Sequence, residues 1–271
     1  MKYFIVDVFT EKLFRGNPAG VCLLEDWLPD ETMQNIAMEN NLSETAFLVK
    51  RSSHYDLRWF TPEIEIDLCG HATMGSAYVL FRFVEKTAGA LSFQTQSGEL
   101  TVERKGDMLL MNFPARPAVP VQRLKSIGDS LRVEEFESFK SADLLVVLDT
   151  EDTVMRMDPE YEAMKRVKEE AGMLDDSFGV IITAPGSDCD FVSRYFAPNA
   201  GVNEDPVTGR AHCVLIPYWS KRLGKTVMNA RQLSKRGGSI YCEDAGDRVI
   251  IGGRAALYLT GEINDEGFGK L

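Results

Sequence analysis

NEDPVTGRAHCVLIPYW, residues 203–219, sets two acids, a proline, a glycine and an arginine against the start of an apolar helix. FTPEIEIDLCGHATMGSAYVLF, residues 60–81, follows the same plan: a proline, a polar loop, a Gly-His step and a helix. The elements around the two stretches come in the same order. In the first half, strands read at YFIVDVF and AGVCLLE, a helix capped by Asp30 at DETMQNIAMENN, and strands at ETAFLVK and YDLRWF. The Gly-His helix is followed by LSFQTQ, ELTVER and MLLMNF, parted by Ser-Gly and Lys-Gly-Asp turns. The second half gives strand DLLVVLD, helix PEYEAMKRVKEEA (159–171), strands FGVIITAP and FVSRYFAP, the Gly-Arg helix, then ARQLSK, SIYCED and RVIIGG.

The register of this repeat is nearly constant. Pro62 and Pro198 lie 136 residues apart, Gly70 and Gly209 139, and Gly98 and Gly238 140. Gly106 and Gly246 also lie 140 apart, with Asp107 matching Asp247. A constant order at a near-constant offset reads as two copies of one α+β unit. The expected domains are 1–117 and 118–271, divided in the Pro-rich stretch FPARPAVPVQ (113–122), with YLTGEINDEGFGKL (258–271) packing back across the first.

Composition narrows the class. A chain of 271 residues with 44% apolar content buries a large core. A net charge of −11 without a basic cluster speaks against nucleic acid as a partner. No apolar run of about 18 residues is present, and Asp7 interrupts the N-terminal one, so no membrane partner and a cytoplasmic location are expected. Five unevenly spaced cysteines without a C-x-x-C pair read as reduced thiols. Cys69-x-His71 supplies too few soft ligands for a metal. RLGKT (222–226) lacks the earlier glycine of a phosphate loop, and neither G-x-S-x-G nor G-x-G-x-x-G occurs.

Two related halves could aim both helix N-termini at one cleft and make a carboxylate site from unbonded N–H groups at Gly70 and Gly209. Against this stands the plain reading, in which each glycine closes a turn. Asp205 either stabilises its helix start or holds an ammonium or a proton; His71 is either a hydrogen-bonded core residue or a proton carrier. Glu44 opens an apolar strand, where partial desolvation would make it a general base and full solvation would make it an edge residue; its repeat-mate is Val180. His212 reads as structural, and Glu63 and Glu65 receive no chemistry.

GNPAGV (16–21), SETAF (43–47), LCGHAT (68–73) and EDPVTGRAH (204–212), in that order, resemble the PhzF-like isomerases of phenazine biosynthesis, within the diaminopimelate epimerase-like fold. The resemblance implies an α+β protein of two pseudo-symmetric domains, each a barrel-like, mostly antiparallel sheet around a central helix. It also implies an active site between them, no cofactor and a homodimer. By motif, Glu44 becomes the acid/base of a cofactor-independent proton transfer on a small unsaturated or cyclic carboxylic acid, with His71 and Asp205 positioning the substrate and assisting the proton. Gly70, Gly209, Asn17 and Thr208 become substrate-binding.

Arg210 departs from the family's TGSAH, where a serine helps bind substrate. Its expected role is to grip a second anionic group or to fill part of the pocket, which points to a more acidic ligand. Relatives on this fold that epimerise with a cysteine pair need a second thiol before Gly209; Thr208 stands there, and Cys213 lies too far into the helix. A carboxylate-binding protein without turnover is the remaining alternative, and Glu44 is the residue that separates it from an enzyme.

Overall fold

The structure is a computed structural model that describes residues 1–173 and 178–264. The chain forms two compact units, one of Met1–Asn112 with the chain from Gly252 onward, the other of Phe113–Ile251.

The first unit holds β1 (Lys2–Val8), β2 (Asn17–Leu24), α1 (Asp30–Asn40), β3 (Glu44–Lys50), β4 (Tyr55–Phe60), β5 (Glu65–Ile66), α2 (Gly70–Phe83), β6 (Ala90–Thr95), β7 (Gly98–Lys105) and the start of β8 (Met108–Pro114). Its ladder runs β1-β2-β3-β4-β6-β7-β8, antiparallel except where β2 meets β3 and β4 meets β6. α2 buries Ala72, Met74, Ala77, Val79, Leu80 and Phe81, faces that leave no polar side. A helix apolar nearly all round must lie inside a core, and α2 packs on β1, β2, β3 and β7.

The second unit holds β9 (Val119–Val121), α3 (Lys125–Leu131), β10 (Glu137–Lys140), β11 (Leu144–Val147), α4 (Glu151–Arg156), α5 (Tyr161–Lys165), α6 (Val167–Glu170), β12 (Val180–Pro185) and β13 (Phe191–Ala197). A short 3₁₀ turn (Pro198–Ala200), β14 (Val202–Asp205), α7 (Gly209–Leu223), β15 (Val227–Gln232), β16 (Gly238–Asp244) and β17 (Arg248–Gly253) follow. Its ladder runs β9-β10-β11-β12-β13-β15-β16, with β14 also on β13, and its two parallel pairs, β11 with β12 and β13 with β15, are again separated by one antiparallel pair. The two units thus share strand order and the placement of parallel pairs around their central helices. Gly106 and Gly246, matched in the sequence repeat, both carry positive φ (61° and 84°) in the turns after β7 and β16, where a side chain would be strained.

α7 buries Ala211, Val214, Leu215, Ile216 and Trp219, the last stacked on Phe191 at 5.6 Å with Nε1 donating to Thr183 Oγ1. Pro217 sits inside this helix and has no N–H to offer Cys213. The Arg116 N–H fills that vacancy, donating to the Cys213 carbonyl at 2.9 Å.

Four expectations need correction. The boundary lies at Asn112/Phe113, within β8, five residues before the expected one. The chain beyond Gly252 belongs to the first unit, not the second, because β18 (Ala255–Glu262) pairs with β1 from Lys2↔Glu262 to Val8↔Ala255. The tail expected to pack back is described only to Asn264; residues 265–271 lie outside the described part. Asp30 does not cap α1: Pro29 is the N-cap, and the Asp30 carboxylate accepts from Arg58 at 2.8 Å. The helix expected over 159–171 is two short ones, with the Lys165 carbonyl at their junction taken by the Asn199 side chain. Among the described residues no helix is long and apolar enough to cross a membrane.

Candidate functional site

In the first unit the candidate residues converge. Gly16, at φ 66°, turns the chain where a Cβ would lie 2.0 Å from the Val8 carbonyl oxygen, and so delivers Asn17 to the first position of β2. β3 runs parallel to β2 with Ala19 opposite Glu44, which sets Glu44 at the start of its ladder. The extended backbone of Cys69 (φ −142°, ψ 107°) begins α2 without a side-chain capping hydrogen bond of the usual kind.

The result is a cluster on one imidazole. His71 Nε2 lies 3.0 Å from Glu44 Oε2, with the His71 side chain 7% and the Glu44 side chain 17% exposed. The two atoms are close but off the line of a hydrogen bond, and both are buried without another partner among the described residues. Such misalignment is common before a substrate tightens a catalytic pair. On the other ring nitrogen, Nδ1 faces Asn17 Nδ2 at 3.4 Å and Cys69 Sγ at 3.5 Å. Asn17 is fully buried, and its Oδ1 accepts from Ser43, the neighbour of Glu44.

Burial works to lower the His71 pKa, but the negative charge that Cys69 and Glu44 can carry outweighs it and raises the imidazole well above its usual range. Burial, reinforced by the Glu44 carboxylate, pushes the Cys69 thiol up, so the charge beside the ring is that of Glu44. With Cys69 kept as a thiol its share of that rise falls away, and the charge of the ring is set by burial, which lowers its pKa, against the Glu44 carboxylate, which raises it.

Glu44, Cys69 and His71 also bring three potential metal ligands within 4.8 Å. The set does not suit one ion, because Cys69 approaches Nδ1 and Glu44 approaches Nε2, on different edges of the ring.

In the second unit the acids of 204–205 divide their work. Glu204 takes both Nε and Nη2 of the buried Arg194, at 2.6 and 3.0 Å, while Arg194 Nη1 donates to the Val154 and Met157 carbonyls. This fork ties β14 to β13 and leaves the adjacent Asp205 to the helix start. Thr208, the extended N-cap of α7, donates its hydroxyl to Asp205 in a very short hydrogen bond. Gln232 fixes the turn: it accepts the Thr208 N–H at 2.9 Å and donates to the Asp205 carbonyl and the Thr208 hydroxyl. α7 likewise has no side-chain cap ahead of Gly209.

Arg210 is placed differently from its expected role. Its Nε donates to Asp143 Oδ2 at 3.0 Å and its Nη2 to the Ala142 carbonyl at 3.4 Å. Asp143 is wholly buried and also accepts from the Gly179 N–H and the Tyr195 hydroxyl. The guanidinium is thus held by a carboxylate of its own unit, and the argument from Arg210 to a more acidic ligand loses its footing. His212 is structural as expected: fully buried, its Nδ1–H donates to the Thr208 carbonyl at 2.8 Å, and burial lowers its pKa to about 4.

Sequence reasoning missed Ser43, Asp143, Arg194 and Gln232. Asp143 leaves a faint signal, a lone acid at the edge of the apolar run DLLVVL, but its partner is 67 residues away. Gln232 leaves none.

The family model described as phenazine biosynthesis-like protein matches residues 6–261. A curated relative named as an uncharacterised isomerase of Pseudomonas aeruginosa is 48% identical over 96% of this chain and 98% of its own. The crystal structure of a PhzF family protein from Enterococcus faecalis superposes with a TM-score of 0.92 at 48% identity, covering 97% of this chain and 98% of that one. A probable proline racemase from Agrobacterium radiobacter, at 10% identity and a TM-score of 0.65 over 99% of this chain and 94% of that one, shares the fold alone.

Proposed function

Since the chain belongs to the PhzF, or phenazine biosynthesis-like, family and is an isomerase of epimerase-like fold, we propose that it moves a proton between two carbons of a small cyclic or unsaturated amino or hydroxy carboxylic acid, with Glu44 as the acid/base. The observation that carries this reading is the 3.0 Å approach of Glu44 Oε2 to His71 Nε2 in a buried setting. A carboxylate held in a buried setting is placed to take a proton from carbon and return it, and a neighbouring imidazole steadies its charge as the proton comes and goes.

In the proposed cycle Glu44 takes a proton from one carbon of the substrate, the electron pair of that C–H bond moves into the conjugated system, and Glu44 delivers a proton at another carbon, with exchange against solvent open to it in between. The substrate carboxylate is neutralised by helix N–H groups at Gly70 and Gly209, which carry the positive end of a helix dipole. Asp205, steadied by Thr208 and Gln232, holds an ammonium or hydroxyl of the same substrate. The reading needs no cofactor, and it expects a homodimer in the cytoplasm.

The test is proton NMR of a panel of such acids in D₂O with wild type and Glu44→Gln. Deuterium entering at carbon, or a shifted double bond, with wild type and a loss of about 10²–10⁴ in rate for the variant, supports the reading. Equal rates in both proteins refute Glu44 as the base. Ligands that raise the melting temperature of both proteins without exchange would leave a carboxylate-binding protein.

A further inference from the structure

The two ring nitrogens of His71 face opposite kinds of group. Among the described residues Nε2 meets only a carboxylate oxygen of Glu44, an acceptor. Nδ1 meets the amide nitrogen of Asn17 and the thiol of Cys69. An amide NH₂ can only donate, and a thiol kept protonated by burial donates as well. A hydrogen on Nδ1 would press against the hydrogens of both neighbours.

We propose that Asn17, with Cys69, is a positioning residue that keeps His71 Nδ1 unprotonated and so fixes the single ring proton on Nε2, aimed at Glu44. Asn17 is suited to this because it is wholly buried at the first residue of β2, with Ser43 donating to its Oδ1 and thereby turning the NH₂ toward the ring. The loop closes on itself, since Ser43 precedes Glu44 in the chain.

The consequence changes the roles expected for both residues. His71 is then a hydrogen-bond donor that holds one oxygen of Glu44 and does not ferry the proton itself. Oε2 receives Nε2–H throughout, and Oε1, which has no hydrogen bond among the described residues, meets the substrate. When a C–H bond breaks, its proton goes to Oε1, its electron pair stays on the substrate, and Oε2 still accepts from the neutral ring. A proton is delivered from Oε1 to the second carbon with nothing else changed. Asn17 acts through His71, in place of the substrate contact expected from the sequence.

This inference rests on the proposed Glu44 reaction for its meaning but not for its test. The experiment is a long-range ¹H–¹⁵N correlation spectrum of the ligand-free protein labelled at histidine, at neutral pH, with His71 assigned by its loss in His71→Gln. The chain has three histidines, and His212, whose Nδ1–H is bonded to a carbonyl, supplies the opposite tautomer as an internal standard. The expected result is a neutral ring with Nε2–H at His71. A spectrum with hydrogen on Nδ1, in either the neutral or the doubly protonated form, overturns the inference. In Asn17→Asp, which puts an acceptor where the donor was, His71 should gain a proton on Nδ1; an unchanged tautomer there would also overturn it. If the buried aspartate prevents folding, the wild-type spectrum decides alone. An Nε2–H ring in a protein that exchanges no candidate acid would leave this inference standing and remove the proposed reaction.

Discussion

The starts of α2 and α7 are built alike and equipped differently. Each helix begins at a glycine after an extended N-cap residue, and each has a side chain three residues past that glycine bonded back to the N-cap carbonyl: Thr73 to Cys69 at 2.6 Å, His212 to Thr208 at 2.8 Å. The residue just after the glycine is where they part. His71 meets Glu44, two groups that can pass a proton, whereas Arg210 meets Asp143, an ion pair whose cation never gives its proton up. One scaffold position therefore carries a His–Glu pair in the first unit and a fixed ion pair in the second. The ladders agree, since Glu44 opens the parallel pairing of β3 and Val180 opens that of β12.

The largest effect that would break this contrast falls on Glu44. Glu44→Gln should lower turnover about 10²–10⁴-fold, while Val180→Ala, its counterpart, should change stability and leave the turnover of folded protein alone. Comparable rate losses in both would show that the two ladder positions are not distinguished by chemistry.

Next comes the ion pair. Arg210→Ser leaves Asp143 buried without its cation and should lower unfolding free energy by about 3–5 kcal/mol in urea titration, since a lone buried charge is far worse than none. Adding Asp143→Leu should recover part of that loss, to a degree set by the Gly179 and Tyr195 hydrogen bonds it also removes. A single variant as stable as wild type would mean that Arg210 is available to a ligand after all.

His212 gives a pH dependence of opposite cause to any catalytic one. Its folded pKa, about 4, lies below the ordinary 6.5, so the unfolded chain binds the proton first as pH falls. The stability associated with the neutral ring is complete above pH 6.5 and is lost as pH drops toward 4, by roughly 3 kcal/mol in all. His212→Gln should flatten that limb of the melting-temperature profile. Thr73→Val, which removes the matching bond in α2, should cost about 1 kcal/mol with no pH dependence, the smallest effect of the set.

Much of this molecule was legible before its structure because local signals and the final fold agree. The offset of 136–140 residues between Pro62, Gly70, Gly98 and Gly106 and their mates foretold two units of common topology. SETAF and CGHAT singled out Glu44 and His71, which the fold brings to 3.0 Å. The failures share a physical cause: each depends on a partner distant in sequence. Asp30 carries the chemistry of a cap, but Arg58 draws its carboxylate away from the helix. Arg210 looked like a free cation because nothing in EDPVTGRAH shows Asp143 waiting 67 residues earlier. Asn17 sits in a recognisable motif, yet its neighbour on His71 comes from an element 54 residues away.

The pairing of β1 with β18 has a consequence for how the chain comes to its fold. β1 lies between β2 and β18, so the first unit lacks a strand until residues 255–262 have been made, whereas Phe113–Ile251 is continuous in sequence. At synthesis rates of about 5–20 residues per second, the roughly 140 residues between the two parts of the first unit take about 7–28 s to emerge. During that interval one edge of β1 presents unpaired N–H and C=O groups, the usual template for misassembly with another nascent chain. The unit that carries Glu44 and His71 is thus begun first on the ribosome and completed last, and the other has time to fold while it waits.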